Sequence, residues 1–367
     1  MSRKNAERSN PLLKKLDKYI GVPTLYMLGK FHKTHKRPQT CKRIAVIKTA
    51  AVGDTIILSA MLSEIKLAYP ETEITVICSK NNVAMVKTLV EVDEIEVFAM
   101  NVPWQSLKRI KTLGHYDLVL DFGPWPRING IISWRLNADY KVGFYRSDTY
   151  RHYIYDVKVE HSDKIHEIEN YRNILRGAGI EPTGLLPDLC TDKRVRIDDY
   201  AVLHLFPGGA MDIQRRWSNE CWLELAKELH RQYGVKILFS GGLVDREEAQ
   251  EISDALMDKD VPAENIAGQY SLQDMASILQ YAKLVVSVNT GIMHYAAAVG
   301  VPLVAIHGAT SEVRWGPLSE RAMVVKSNLP CQPCISLGFE SKCTNPVCME
   351  KVTVPMVMEK VKKLLGA

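Results

Sequence analysis

Residues 43–70 read RIAVIKTAAVGDTIILSAMLSEIKLAYP, an apolar run, a turn of small residues and a helical stretch closed by Pro70. Strand, loop and helix in that order predict the opening of a doubly wound domain. Downstream, ITVICSK at 74–80, EIEVFAM at 94–100 and YDLVLDFG at 116–123 predict three further strands, with helical intervals between them. Short apolar strands alternating with helices imply a parallel sheet covered on both faces, since such strands bury both of their sides. The stretch 140–160, rich in Tyr and Arg, is less regular. After it, IHEIENYRNILRGAG at 165–179 predicts an amphipathic helix ending at Gly177 or Gly179, and EPTGLLPDL at 181–189, with two prolines and a glycine, predicts a linker.

A second cycle follows. YAVLHLFPGGA at 200–210 reads as a strand entering a glycine turn, WSNECWLELAKELHRQYG as a helix, and VKILFSGG at 235–242 as another strand and glycine turn. Helical stretches REEAQEISDALM and SLQDMASILQYA precede LVVSVNTG at 284–291, a strand and turn. IMHYAAAVG then opens a helix closed by Gly300, and VPLVAIHGA at 301–309 completes the series. The fold class expected is α/β, with two facing Rossmann-like doubly wound domains and a cleft between them, where ligands sit beyond the carboxyl ends of the strands. The expected divisions are an arm at 1–42, a first domain at 43–185, a second at 198–350 and a C-terminal helix at 351–367. A chain of 367 residues suits two domains of about 150 residues with an appendage.

Charge is unevenly placed. Residues 1–43 carry +10, with Glu7 and Asp17 their only acids, whereas the remainder carries −5, so the basicity belongs to the arm. Leu12, Leu13, Leu16, Tyr19 and Ile20 fall near helical spacing among Lys14, Lys15 and Lys18, and Leu25, Tyr26, Met27, Leu28 and Phe31 form a second apolar patch. Two readings are open: peripheral contact with the inner membrane surface, or an arm packed on its own domain or another subunit. Nothing reads as a membrane-spanning run or a secretory signal, so the expected location is cytoplasmic. No nucleic-acid motif accompanies the charge, and nucleic acid is not an expected partner. There is no GxGxxG, Walker A, HExxH or GxSxG pattern, which sets aside dinucleotide oxidoreductases, NTPases, zinc proteases and serine hydrolases.

Six fragments, taken together and in order, are specific: KTAAVGD at 48–54, YDLVLDF at 116–122, FPGGA followed by RRW at 206–217, FSGGLVDREEA at 239–249, VSVNTGIMH at 286–294, and GVPLVAIHGAT with WGP at 300–317. With them the chain resembles glycosyltransferase family 9, the lipopolysaccharide heptosyltransferase family, from residue 43 to 365. The resemblance implies a GT-B-like fold, an inverting and metal-independent mechanism, a nucleotide-diphospho-sugar donor such as ADP-heptose, and a lipopolysaccharide core or other glycan acceptor. It leaves two alternatives: a protein-directed heptosyltransferase or a transferase of another sugar, and a catalytically lapsed nucleotide-sugar-binding scaffold.

Inverting transfer needs one base to take the acceptor hydroxyl proton while that oxygen attacks the anomeric carbon. Asp54 matches the family's proposed base; capping of the following helix is the competing role. For the donor diphosphate, the second half offers the turn at Gly208 and Gly209, the cation Arg215, and Thr290 with Gly291 opening a helix, a set able to neutralise phosphate without magnesium. Arg215 replaces the lysine usual in the family, exchanging a point charge for a planar fork. Asn289 stands where the family carries aspartate, which alters the contact with the donor sugar. The resemblance further assigns His294 to phosphate or sugar, Asp245 to ribose hydroxyls and Tyr270 to the vicinity of the base. Arg127, Arg135, Lys141, Arg146 and Arg151 are candidate contacts for an anionic acceptor.

Of eight cysteines, Cys331, Cys334, Cys343 and Cys348 crowd into eighteen residues, a pattern able to hold structural zinc or iron. Free thiols are the other reading, and no cofactor is expected to take part in catalysis.

Overall fold

The computed structural model describes residues 15, 17–146, 149–209, 211–335 and 343–366. Leu12, Leu13, Lys14 and Leu16 of the arm lie outside the described residues. The chain divides into two compact units between Pro187 and Asp188.

The first unit is built on β1 (Arg43–Ile47), β2 (Glu73–Cys78), β3 (Glu94–Val97), β4 (His115–Asp121), β5 (Asn137–Tyr145) and β6 (Val157–Glu160), in the order β3-β2-β1-β4-β5-β6. Every pairing is parallel, with Ile44 of β1 between Ile74 of β2 and Leu118 of β4. Inner strands such as β1 are buried along nearly their whole length, which is why they read as unbroken apolar runs. β5 and β6 occupy the stretch that looked irregular: β5 enters through the polar Asn137 and Asp139, and β6 lies at the sheet edge with alternating exposure. The helix Val52–Ala68 buries ten of its 17 residues, including Ile56, Ile57, Met61 and Ile65, so its apolar character runs around most of its circumference. Among its buried residues Glu64 is the one that carries a charge. Its carboxylate accepts from the backbone N–H groups of Thr183, Gly184 and Leu185, each at 2.9 Å, and from the Thr183 hydroxyl at 3.0 Å, pinning the end of the unit to this helix.

The arm packs on this same unit. Asp17 accepts from the backbone N–H of Arg127 at 2.8 Å and from its guanidinium at 2.6 Å. Over the helix Gly21–Gly29, Leu25 is buried against Ile154 and Tyr155, and the Tyr26 ring meets Tyr153 edge-on at 5.5 Å.

The second unit repeats the plan with β7 (Tyr200–His204), β8 (Lys236–Ser240), β9 (Ala263–Asn265), β10 (Leu284–Val288), β11 (Leu303–Ile306) and β12 (Ala322–Val325), ordered β12-β11-β10-β7-β8-β9 and parallel throughout. Its helix Asn219–Tyr233 has textural signals at both ends: Ser218 accepts from Cys221 N–H, and Gly234 adopts φ +66°. Trp217 and Trp222 pack edge to face at 5.0 Å in the core, with the Trp217 indole N–H on the Val352 carbonyl at 2.7 Å. The helix Val354–Leu365 closes that core through Val357, Met358 and Val361. In both sheets the strand order reverses once at the centre, between β1 and β4 and between β7 and β10, and such reversals open crevices at the carboxyl ends of the strands.

Candidate active site

In the first unit the reversal is occupied by Asp54. The helix starts after Ala51, which has no side-chain cap, so Asp54 stands in its first turn and is not the N-cap residue. A carboxylate there is favoured by the helix dipole. Its Oδ1 accepts from the Lys48 ammonium at 2.9 Å and from the Tyr171 hydroxyl at 3.2 Å. Lys48 is buried and also donates to the Phe122 carbonyl at 3.1 Å, so one side chain ties the loop after β1 to the end of β4. Tyr171 comes from the helix Glu167–Gly177, is fully buried, and is packed edge-on by Phe122 at 5.3 Å. It also hydrogen-bonds Lys48. The result is a half-buried carboxylate fixed by a cation and a phenol at the carboxyl end of the sheet. Neither Lys48 nor Tyr171 was singled out from the sequence as a site residue.

Beneath this loop runs a buried polar network. Thr49 donates to Asn129 at 2.8 Å, while Asp121 receives the Gly123 N–H at 2.9 Å, the Tyr155 hydroxyl at 2.6 Å and the Arg151 guanidinium. Arg151 and Asp121 are both fully buried. Burial opposes the Arg151 charge, but Asp121 and Tyr155 more than offset it and hold the group protonated. Arg151 is therefore a structural charge, not a solvated contact for an acceptor. The same holds for Arg127, committed to Asp17, and for Lys141, buried with its ammonium on the Leu136 carbonyl at 3.0 Å and its pKa lowered to about 8 by desolvation against the pull of Asp156. Arg135 and Arg146 are half-buried, the former donating to the Leu107 carbonyl and the latter stacked 5.2 Å over Trp125.

In the second unit the residues after β7 and β10 come together. Arg215 donates to the Gly208 carbonyl, to the Asn289 carbonyl at 3.1 Å and to Met211 O at 3.3 Å. Burial lowers its pKa to about 10, with Asp212 opposing, so the guanidinium stays charged at neutral pH. Gly208 and Gly209 have no atom within 4 Å of where a Cβ would stand, and Gly209 takes φ +83°, a conformation that favours glycine. Thr290 caps the helix Gly291–Ala298 by accepting from Ile292 N–H at 3.1 Å. His294 is buried one turn further along.

Asn289 is also buried, and its amide nitrogen faces the Trp315 carbonyl at 3.2 Å and His307 Nε2 at 3.4 Å. Burial depresses the His307 pKa to about 4, leaving a neutral ring. A carboxylate at position 289 would set oxygen against the Trp315 carbonyl, so the amide suits this pocket. Asp245 lies after β8 and turns its Oδ2 onto the Gly242 N–H at 2.8 Å, closing the turn that leads into the helix Arg246–Met257. Tyr270, after β9, is half-buried. Asp245 and Tyr270 thus follow strands of the same sheet as the Arg215 cluster, β8 and β9, which lie further from its centre.

None of the four clustered cysteines is joined in a disulfide. Burial and the nearby sulfurs of Cys334, Cys331 and Cys343 push the Cys348 thiol up. Among the described residues His115, Asp117 and Asp139 are the one group of three His, Cys, Asp or Glu side chains whose ligand atoms lie within 4.8 Å of one another, and the cysteines form no such group. Among the described residues no helix is long and apolar enough to cross a membrane.

The family described as glycosyltransferase family 9 (heptosyltransferase) matches residues 106–344. Lipopolysaccharide heptosyltransferase 2 of Salmonella typhimurium is 25% identical over 308 residues, covering 77% of this chain and 88% of the relative. Among solved structures, the ADP-heptose lps heptosyltransferase II of E. coli superposes with a TM-score of 0.71 at 21% identity, covering 88% of this chain and 98% of that one. The iron-containing dodecameric glycosyltransferase TibC of enterotoxigenic E. coli shares the fold more distantly, with a TM-score of 0.57, 14% identity and coverage of 90% of this chain and 77% of that one.

Proposed function

Since this chain belongs to glycosyltransferase family 9, and is a glycosyltransferase of heptosyltransferase type, we propose that it moves a heptose from a nucleotide-diphospho-sugar such as ADP-heptose to a lipopolysaccharide core acceptor, with inversion and without a catalytic metal. The observation that carries this reading is the Asp54 carboxylate fixed by Lys48 and Tyr171 at the central reversal of the first sheet.

In the reaction, Asp54 takes the proton of the acceptor hydroxyl as its oxygen forms a bond to the anomeric carbon. The bond from that carbon to the diphosphate oxygen breaks on the opposite face, and its electron pair leaves with the nucleotide diphosphate. Lys48 and Tyr171 act as positioning residues, fixing the direction of the carboxylate before the acceptor arrives. In the second unit, the open turn at Gly208 and Gly209 gives room for the diphosphate, and Thr290 and Gly291 present the start of a helix to it. Arg215 holds these two segments together and supplies positive charge against the developing negative charge of the leaving group. Asn289 and His294 face the sugar end, and Asp245 and Tyr270 the nucleoside end. A lipid-borne acceptor places the enzyme at the cytoplasmic face of the inner membrane.

The test is a thermal-shift screen of nucleotide-sugars followed by transfer to a deacylated lipopolysaccharide core, with the anomeric configuration of the product read by NMR in the presence and absence of EDTA. Stabilisation by an ADP-heptose and EDTA-insensitive formation of an inverted linkage are expected. Retention of configuration, or transfer abolished by EDTA and restored by magnesium, overturns the mechanism.

A further inference from the structure

We propose that the outward face of the arm helix is a docking surface for an anionic phospholipid bilayer, held rigidly on the first unit. Among the described residues the arm packs on its domain through one side and exposes large apolar groups on the other, so the two sequence readings of it are not exclusive. Its inward side is the stripe Gly21, Leu25 and Leu28, with Leu25 fully buried. The fit there is close: a Cβ on Gly29 would stand 2.3 Å from Tyr153 Cβ, and one on Gly21 would stand 3.0 Å from Arg127 Cβ. With Asp17 clasped by Arg127, the helix has no freedom to roll its other side inward.

That other side exposes large apolar residues. Tyr19 is 70% exposed, Ile20 58%, Met27 54% and Phe31 75%. Ile20, Pro23, Met27 and Phe31 follow one another at three- and four-residue steps, so they share a face. Around them stand Lys15, Lys18 and Lys30, all exposed, with Lys18 5.8 Å from the Tyr19 ring and Lys30 4.9 Å from the Tyr26 ring. After Asp17 no acidic residue occurs until Asp54. Apolar and aromatic groups flanked by cations without anions are what an interfacial helix brings to negatively charged headgroups. A second copy is the poorer occupant, because a two-fold contact through this face would set the same lysines against themselves.

The surface deepens the reading of a transferase with a lipid-borne acceptor and rests on it for its purpose. The experiment is flotation of the full chain with vesicles of phosphatidylcholine alone or with phosphatidylglycerol added, alongside its mass in solution and its transfer to a deacylated core acceptor. Salt-sensitive flotation with the anionic vesicles alone is expected. The pair Lys18→Gln and Lys30→Gln lowers partitioning about five-fold per lysine, and the pair Ile20→Ser and Phe31→Ser lowers it about 100-fold, while transfer to the soluble acceptor is unchanged in both. Equal binding to neutral vesicles, no binding, or variants that float like the parent overturns the docking surface. So does a dimer that the apolar pair dissociates without altering flotation, which would assign the face to a second copy. Flotation lost with soluble transfer intact removes the surface alone; flotation intact without transfer from any donor removes the activity reading alone.

Discussion

A carboxylate can serve as a base only if something holds it still without filling its place, and Lys48 and Tyr171 do this for Asp54 through a single oxygen. Asp54→Asn keeps shape and removes proton affinity. It is expected to lower kcat by about 10²–10⁴ with donor affinity by calorimetry unchanged; equal loss of both would make Asp54 a folding residue. Asp54 and Lys48 were legible together because they lie in one motif, KTAAVGD, although only the aspartate was read as chemical. Tyr171, 117 residues further on, was not legible at all: in the helix IEN-YRN it reads as an ordinary core aromatic, and only the sheet brings it back to β1. Asn289 shows the reverse case, a departure visible in the sequence whose reason was not. The partner that explains it is a backbone carbonyl, Trp315 O, which no residue type announces. Asn289→Asp is therefore expected to cost about 1–3 kcal/mol of stability at neutral pH, measured by urea unfolding; a variant as stable as the parent would show that the pocket accepts a carboxylate.

At the level of elements, each sheet solves the same problem at its central reversal. Loops there diverge to opposite sides, and one basic side chain spans the gap: Lys48 from the loop after β1 to the Phe122 carbonyl beyond β4, and Arg215 from the segment after β7 to the Asn289 carbonyl after β10. The strands that flank these reversals were legible because burial on both faces leaves a continuous apolar run; the polar entry of β5 and the alternating edge strand β6 gave no such run. Glu64 is a further device of this kind, a buried carboxylate on the helix Val52–Ala68 that collects the N–H groups of Thr183, Gly184 and Leu185. Burial alone would raise its pKa, but these hydrogen bonds outweigh burial and leave it below the ordinary 4.5. A depressed carboxylate contributes stability that is present above its unfolded pKa and lost as pH falls through its folded pKa. Glu64→Gln is expected to cost about 1.5–3 kcal/mol at pH 7, and the gap from the parent should narrow on acidification below about pH 4.5. A gap that stayed constant with pH would mean that packing, not charge, is what the substitution removes.

For the molecule as a whole, the two units have separate sheets and separate cores, and the groups read as donor contacts all belong to one of them. A ligand stabilises only what it binds, by RT ln(1 + [L]/Kd), about 2.7 kcal/mol at a hundred-fold excess over Kd. Calorimetric unfolding is accordingly expected to resolve two transitions, of which ADP raises the one belonging to β7–β12 and leaves the other in place. The assignment is checked by Arg215→Ala, which removes the cation that joins Gly208 to Asn289 and should abolish most of the ADP-induced shift, whereas Asp54→Asn should leave that shift intact. If ADP instead moves the transition of β1–β6, or if Arg215→Ala responds to ADP like the parent, the diphosphate is held elsewhere. The division of labour proposed here was legible in the separate positions of KTAAVGD and FPGGA with RRW, on either side of a Pro- and Gly-bearing linker. The sequence did not carry the geometry around Arg215, whose guanidinium is engaged by the Gly208 and Asn289 carbonyls and so draws two turns together, leaving its proposed action on a phosphate to work through them.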